Sequence, residues 1–245
     1  MRSEEYSADR RDHTLNLYRK NVNSQAGEDG IVEYLCEKCG VKHKWCVEFG
    51  AWNGKHLSNT RRLIVEKKWS GVLIEGDQER FKELQANYSD RPDVSTICAF
   101  VSHESGSANS IDAILSRTQI PCDFDLLSID IDGNDYYIWE SMVSYSPSIV
   151  IIEANSSYDY FVDKINPPDT GGGSTAFALV ELGRRKGYEL VAHTGNCIFV
   201  RKELFPLVGL QDNALKTLFD SRFVRKPWWS YLYRRLACML GKKEY

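Results

Sequence analysis

The sequence predicts an α/β fold. The expected form is a Rossmann-like three-layer α/β/α sandwich around a seven-stranded, mostly parallel sheet with an antiparallel terminal strand. Two observations carry this expectation. Unbroken apolar runs, such as Val72-Leu73-Ile74 and Ile149-Val150-Ile151-Ile152, alternate with stretches of helical periodicity. That rhythm belongs to parallel strands covered by helices on both faces. The last two strand-like runs are separated only by Thr194-Gly195-Asn196, so they form a hairpin and one strand must run against the rest.

The elements follow in order. Residues 1–23 are polar and form an N-terminal arm. Residues 30–36 carry apolar side chains at helical spacing. A strand at 45–49 leads to a helix at 56–68, with Leu57, Leu63 and Ile64 on one side. A strand at 71–75 precedes a helix at 78–87 bearing Phe81 and Leu84. A strand at 94–101, a short helix at 109–117, a strand at 125–130, a helix at 135–143 and a strand at 149–153 continue the alternation. Residues 155–173 form a long polar loop ending in three glycines. Ser174 is the expected N-cap of a helix at 174–186. Strands at 188–193 and 197–201 close the sheet. One domain therefore spans 24–202, and 203–245 is a C-terminal helical extension.

Composition narrows the class. The 245 residues are 42% hydrophobic and 27% charged, as in an ordinary soluble globular protein. A formal net charge of -3 argues against a nucleic-acid partner held by bulk electrostatics. The seven cysteines are odd in number and scattered, which suits reduced thiols in a cytoplasm. Met1-Arg2-Ser3-Glu4-Glu5-Tyr6 lacks the apolar core of a signal peptide. No apolar run approaches the roughly 20 residues of a membrane span. A cytoplasmic location is the resulting expectation.

The stretch Glu48-Phe49-Gly50-Ala51-Trp52-Asn53-Gly54, followed by Gly71 to Asp77, reads as strand, glycine turn, helix, strand and acid. In an α/β sheet this unit holds the adenosine half of a cofactor. The glycines let backbone approach the ligand, and the acid at the second strand tip takes the ribose hydroxyls. Gly50 and Gly54 stand as G-x-x-x-G, with Glu48 two residues before the first. A dinucleotide fingerprint needs G-x-G-x-x-G, and a P-loop needs G-x-x-x-x-G-K-[ST]. Neither is met, since His56 follows Gly54-Lys55 one residue early.

An acid two residues before G-x-x-x-G resembles motif I of the S-adenosylmethionine (SAM) methyltransferases. The stretch from about 24 to 201 is similar to their FkbM-like branch in three places. Ser24-Gln25-Ala26-Gly27-Glu28-Asp29 resembles the S-Q-x-G-E-D segment of that branch. Val47 to Gly54, with Glu75 and Asp77, resembles its glycine turn and acid. Ser128-Ile129-Asp130-Ile131-Asp132-Gly133 resembles K-I-D-V-E-G, with Ser128 for the lysine and Asp132 for the glutamate. The resemblance implies the seven-stranded class I methyltransferase sheet and SAM as cofactor. It implies that Gln25, Glu48, Gly50, Ala51, Gly54, Glu75, Gly76, Asp77 and Asp130 bind it. It also implies transfer to a small-molecule acceptor, with a hydroxyl of a sugar or secondary-metabolite intermediate as the expected target. Two other classes stay open: a SAM-binding scaffold without transfer, and a nicotinamide oxidoreductase on the same layers.

Asp77 can instead cap the following helix. Asp130, Asp132, Asn134 and Asp135 crowd the carboxyl end of one strand, where open α/β sheets bind ligands. Such a cluster awaits a positive partner: the sulfonium, a substrate proton or a divalent cation. Asp130 and Asp132 are the catalytic candidates, with His193 as the preferred histidine over His56 and His103. Asp130, Asp132, Glu153 and Asn155 offer the oxygen ligands that suit Mg²⁺; capping of the helix by Asp132 or Asn134 is the structural alternative. Cys36, Cys39, His43 and Cys46 miss standard zinc spacing. Asn166-Pro167-Pro168-Asp169 lacks the aromatic of an amino-methyltransferase loop. The basic and aromatic residues of 225–236 suit a membrane-surface helix, a helix packed on the domain or a homodimer contact.

Overall fold

The computed structural model describes residues 14–223; the segment 225–236 lies outside them. Seven strands form one sheet: β1 (Trp45–Phe49), β2 (Ser70–Glu75), β3 (Val94–Cys98), β4 (Leu126–Ile129), β5 (Ile149–Glu153), β6 (Tyr188–His193) and β7 (Asn196–Arg201). Their spatial order is β3-β2-β1-β4-β5-β7-β6. All neighbours from β3 to β5 pair in parallel, and β7 runs antiparallel to both β5 and β6. The expected α/β sheet is therefore present, with its reversed strand last in sequence but not at the edge. The hairpin about Gly195 slots β7 beside β5, which leaves β6 outermost.

The strand order reverses direction between β1 and β4, the switch point where open α/β sheets leave a crevice. Register brings the relevant tips level. Phe49 pairs with Ile74 and Ile129, and Ile129 pairs with Ile152. The residues just beyond, Gly50, Glu75, Asp130 and Glu153, thus face one crevice.

Both sheet faces are buried, as unbroken apolar strands require. Val47, Phe49, Val72, Ile74, Leu127 and Val150 join Trp139 and Leu179 on one side. Cys46, Leu73, Leu126 and Ile151 join Ile31, Leu35 and Ile64 on the other. The covering helices are α1 (Glu28–Cys39), α2 (Arg61–Val65), α3 (Gln78–Asn87), α4 (Ile111–Leu115), α5 (Asp135–Ser141) and α6 (Ala176–Arg185), with short α7 (Phe205–Val208) and α8 (Leu215–Leu218) after the sheet. The Tyr34 hydroxyl donates to the Val208 carbonyl at 2.9 Å, fixing α7 to α1. Among the described residues no helix is long and apolar enough to cross a membrane.

Three local expectations need correction. The helix expected at 56–68 spans only Arg61–Val65. Leu57 takes a left-handed backbone (φ 53°), and the Ser58 and Thr60 hydroxyls are spent on Glu48. The cap of α6 is Thr175, whose hydroxyl accepts from the Ala178 N–H, and not Ser174. Neither Asp132 nor the Asn134 side chain caps α5.

Candidate functional site

A cavity of about 780 Å³ opens at the carboxyl ends of β1, β2, β4 and β5. That volume lies within the roughly 300–1,000 Å³ usual for small-molecule sites. Three loops build it.

The first loop follows β1. Glu48 is buried, and its carboxylate accepts from Ser58 Oγ at 2.6 Å, Thr60 Oγ1 at 2.7 Å and the Asn59 N–H at 2.8 Å. Burial pushes its pKa up, against those hydrogen bonds. Gly50 turns the chain with φ 73°, and a Cβ there would overlap the Asp130 carbonyl oxygen. A Cβ on Gly54 would strike the Tyr88 ring, and Gly54 lies outside the cavity lining. Both glycines therefore make room for neighbouring protein atoms. Gly50 and Ala51 line the cavity.

The second loop follows β2. Glu75 is buried to 6% exposure. Its Oε2 accepts from the Trp52 N–H and its Oε1 from the Asp77 N–H, each at 2.8 Å. Each oxygen keeps a further lone pair for a ligand hydroxyl. Asp77 lines the cavity and also caps α3, accepting from the Glu79 and Arg80 N–H groups at 3.0 and 2.9 Å. Gly76 lets the Phe100 ring close over the turn. Phe100 is 77% exposed, an apolar surface offered to the cavity. The Arg80 guanidinium stacks 4.2 Å over the Trp52 ring on the same wall. Sequence reading missed Phe100, Trp52 and Arg80 as lining residues; Phe100 fell inside the strand expected at 94–101, whereas β3 ends at Cys98.

The third loop follows β4. Asp135 is buried, and its carboxylate accepts from the Ile131 and Gly133 N–H groups, both at 3.0 Å. This folds the turn back and holds Asp132 in a left-handed conformation, φ 58°, a strain the surroundings must support. Asp130 and Asp132 open to solvent inside the cavity. Asp130 is nonetheless recessed: desolvation first, then Asp135, Asp132, Glu48 and Glu28, push its pKa up to about 7. One carboxylate oxygen each from Asp130, Asp132 and Glu153 lie within 4.8 Å of one another. Asp169 and Gly171 complete this wall from the 155–173 loop. The loop is pinned by reciprocal Asn134–Asp169 hydrogen bonds of 2.7 and 2.9 Å.

Gln25 reaches the cavity from the segment before α1. The two acids that follow it hold that segment in place. Asp29 Oδ2 gathers the Val22, Asn23 and Ser24 N–H groups, while Glu28 accepts from the Ala26 N–H and the Thr194 hydroxyl, both at 2.7 Å.

The structure thus gathers Gln25, Glu48, Gly50, Ala51, Glu75, Gly76, Asp77, Asp130, Asp132 and Glu153 about one cavity. Gly54, Asn155 and His193 are not in its lining. Asn155 instead donates to the Gly172 and Gly173 carbonyls. His193 is buried, stacks on Phe219 at 4.4 Å and accepts the Asp220 N–H on Nδ1. Desolvation lowers its pKa to about 4. His56 is the histidine that does line the cavity, edge-on to Trp52 at 5.0 Å.

No protein-family model matches the chain, and no curated protein matches it. Solved structures do resemble it. A protein assigned as a caffeoyl-CoA O-methyltransferase from Staphylococcus aureus aligns with a TM-score of 0.48 at 15% identity, covering 81% of this chain and 91% of that one. A SAM-dependent methyltransferase from Clostridium acetobutylicum aligns with a TM-score of 0.44 at 8% identity, covering 81% and 98%. The pyocyanin biosynthetic protein PhzM aligns with a TM-score of 0.42 at 13% identity, covering 69% of this chain and only 54% of its own. At such values the likeness carries no chemistry, and function rests on the site itself.

Proposed function

We propose that this protein is a SAM-dependent methyltransferase, similar to the FkbM-like branch, that methylates a hydroxyl of a small metabolite such as a sugar or secondary-metabolite intermediate. One observation carries the reading: a glycine turn, a strand-tip carboxylate and a recessed acid cluster share one cavity at the sheet's switch point. The donor set fits the cofactor. SAM brings two positive centres, a sulfonium and an ammonium, to a cavity lined by Glu48, Asp130, Asp132 and Glu153. Its ribose hydroxyls match the two oxygens of Glu75. Its adenine matches Phe100 with Ile74 and Val101.

When bound, SAM supplies an electrophilic methyl group. The chain's own residues must then align an acceptor oxygen and remove its proton. Asp130 suits the second task, because a carboxyl with a pKa of about 7 accepts a proton near neutral pH. Asp132 and Glu153 suit the first, as hydrogen-bond acceptors for the substrate's hydroxyls. The three carboxylates also fit a divalent cation such as Mg²⁺, which takes hard oxygen ligands; such an ion would lower the acceptor's own pKa.

The test of the cofactor is thermal. S-adenosylhomocysteine should raise the melting temperature while NAD and ATP do not. A ligand exclusive to the folded state stabilises by about 2.7 kcal/mol at a hundredfold its Kd. No shift at saturation would sink the assignment.

A further inference from the structure

Residues 165–172 form a closed loop beside the acid cluster. Its neck is the Lys164–Thr175 pair. The Lys164 N–H donates to Thr175 Oγ1 at 3.2 Å, and the Thr175 N–H to the Lys164 carbonyl at 3.0 Å. Asp169 and Gly171, at the tip, line the large cavity. The tip rests on the turn that carries Asp132. The Gly172 N–H donates to the Asp132 carbonyl at 3.3 Å, and a Cβ on Gly133 would stand 3.4 Å from the Gly171 Cα. Asn134 and Asp169 exchange hydrogen bonds of 2.7 and 2.9 Å across the same seam. The remaining ties are polar too: Tyr137 donates to the Asn166 carbonyl, and Asn155 to the Gly172 and Gly173 carbonyls. No residue from 163 to 172 is buried, and Ile165 packs on neither side of the core. A segment held by exposed polar contacts alone opens at low local cost.

Asn134 is committed to this seam. It stands at the N-cap position of α5, yet its side chain makes no capping bond and is spent on Asp169 instead. Asp169 is held left-handed at φ 62°, a strained backbone for a residue with a side chain. Gly171, Gly172 and Gly173 follow with φ of 71°, 77° and 61°, and glycine leaves such conformations freely. The bonds to Asn134 oppose the strain, and the glycines let the segment rearrange once those bonds break.

We propose that residues 165–172 are a lid on the acid end of the cavity, latched by the Asn134–Asp169 pair, and that the latch opens to exchange ligands there. The methyltransferase reading enters only through the ligand named in the test, S-adenosylhomocysteine. The lid itself rests on the seam. Closure sets Asp169 in the cavity wall and ties the Asp132 carbonyl, so one movement completes that wall and shuts it from water.

Hydrogen exchange of the full chain, read by NMR without ligand, tests the latch. The reference is the Asp130 amide, which donates to the Phe49 carbonyl at 3.2 Å beside the sheet. The Gly172 amide should be protected at least about a hundredfold less than that of Asp130. Asn134→Ala should strip roughly a further tenfold from Gly172, whose own bond it leaves in place, while Asp130 stays unchanged and so reports an intact fold. Asn134→Asp, which sets a carboxylate against Asp169, should act in the same direction. Stopped-flow fluorescence then tests the gating. S-adenosylhomocysteine should leave Asn134→Ala roughly tenfold faster than wild type. Gly172 protection equal to that of Asp130, or release unchanged in a variant whose Gly172 is deprotected, would overturn the proposal. If wild type binds no S-adenosylhomocysteine, the cofactor reading fails, and the lid stands or falls on Gly172 protection.

Discussion

The Asp130 carbonyl oxygen occupies the space that a side chain on Gly50 would need. The turn after β1 and the turn after β4 are thereby locked together, so the glycine turn and the acid cluster form one unit. Gly50→Ala should therefore destabilise the protein without any ligand present. Left-handed strain (φ 73°) and overlap with backbone together cost roughly 2–6 kcal/mol. Urea denaturation of the ligand-free variant measures this. Unchanged stability with lost S-adenosylhomocysteine affinity would mean that Gly50 serves the ligand instead.

Glu75 ties the two phases of binding and folding. Its carboxylate holds the Trp52 and Asp77 N–H groups, so Glu75→Ala should lose stability as well as cofactor. Orphaning a buried donor costs about 1–3 kcal/mol. Glu75→Gln keeps the shape and one good acceptor. It should retain most of the stability while S-adenosylhomocysteine binds roughly tenfold more weakly. Calorimetric titration checks this, and equal affinity would show that another residue holds the ribose.

The legible and illegible parts of the sequence divide along physical lines. Strand β5 and helix α3 stood where periodicity and flanking signals put them, because burial on both faces and an Asp77 cap leave little freedom. The parallel run of strands and the one reversed strand followed from alternation and the closing hairpin. Helix α2 was misjudged because Leu57, Leu63 and Ile64 share helical spacing. No local pattern reveals that Ser58, Asn59 and Thr60 are committed to Glu48, ten or more residues earlier. Glu48, Glu75 and Asp130 were legible as site residues because strand tips in a parallel sheet must converge. Phe100 and Arg80 were not, since only tertiary structure folds Phe100 over Gly76 and sets Arg80 of α3 on Trp52. His193 looked available beside a turn, yet Phe219 and Asp220 of the chain's later segment cover it.

His193 should make stability depend on pH. Its folded pKa, about 4, lies below the unfolded value near 6.5, so between those values the unfolded state binds more protons. Stability contributed by neutral His193 is present above about 6.5 and is lost as pH falls towards 4, by about 3 kcal/mol in all. Glu48, Asp130 and Asp135, with raised pKa values, act oppositely: their protonated forms favour the fold, and that contribution is lost as pH rises. The difference between wild-type and His193→Gln unfolding curves isolates the histidine. If that difference is flat from pH 4 to 7, the imidazole is not held neutral.

The acid cluster makes the sharpest demand. Asp130→Asn and Asp132→Asn should each abolish transfer to the true acceptor, while Asp132→Asn retains S-adenosylhomocysteine binding. Asparagine keeps the shape but accepts no proton and, without the negative charge, holds a cation far more weakly, and loss of a general base costs roughly 10²–10⁴ in rate. The capping explanation for these acids has little room, since the Asp135 carboxylate already takes the Ile131 and Gly133 N–H groups. A chelator separates the two chemical roles. If activity vanishes and returns with Mg²⁺ or Mn²⁺, Asp130, Asp132 and Glu153 act as a cation's ligands. If activity ignores the chelator but fails in the variants, Asp130 acts on the acceptor directly. In that case the rate should rise through about pH 7 as Asp130 loses its proton, and the rise should be absent from Asp130→Asn. Normal turnover in both variants would move the base elsewhere on the same wall, to Glu153 or to Asp169 of the loop that closes it.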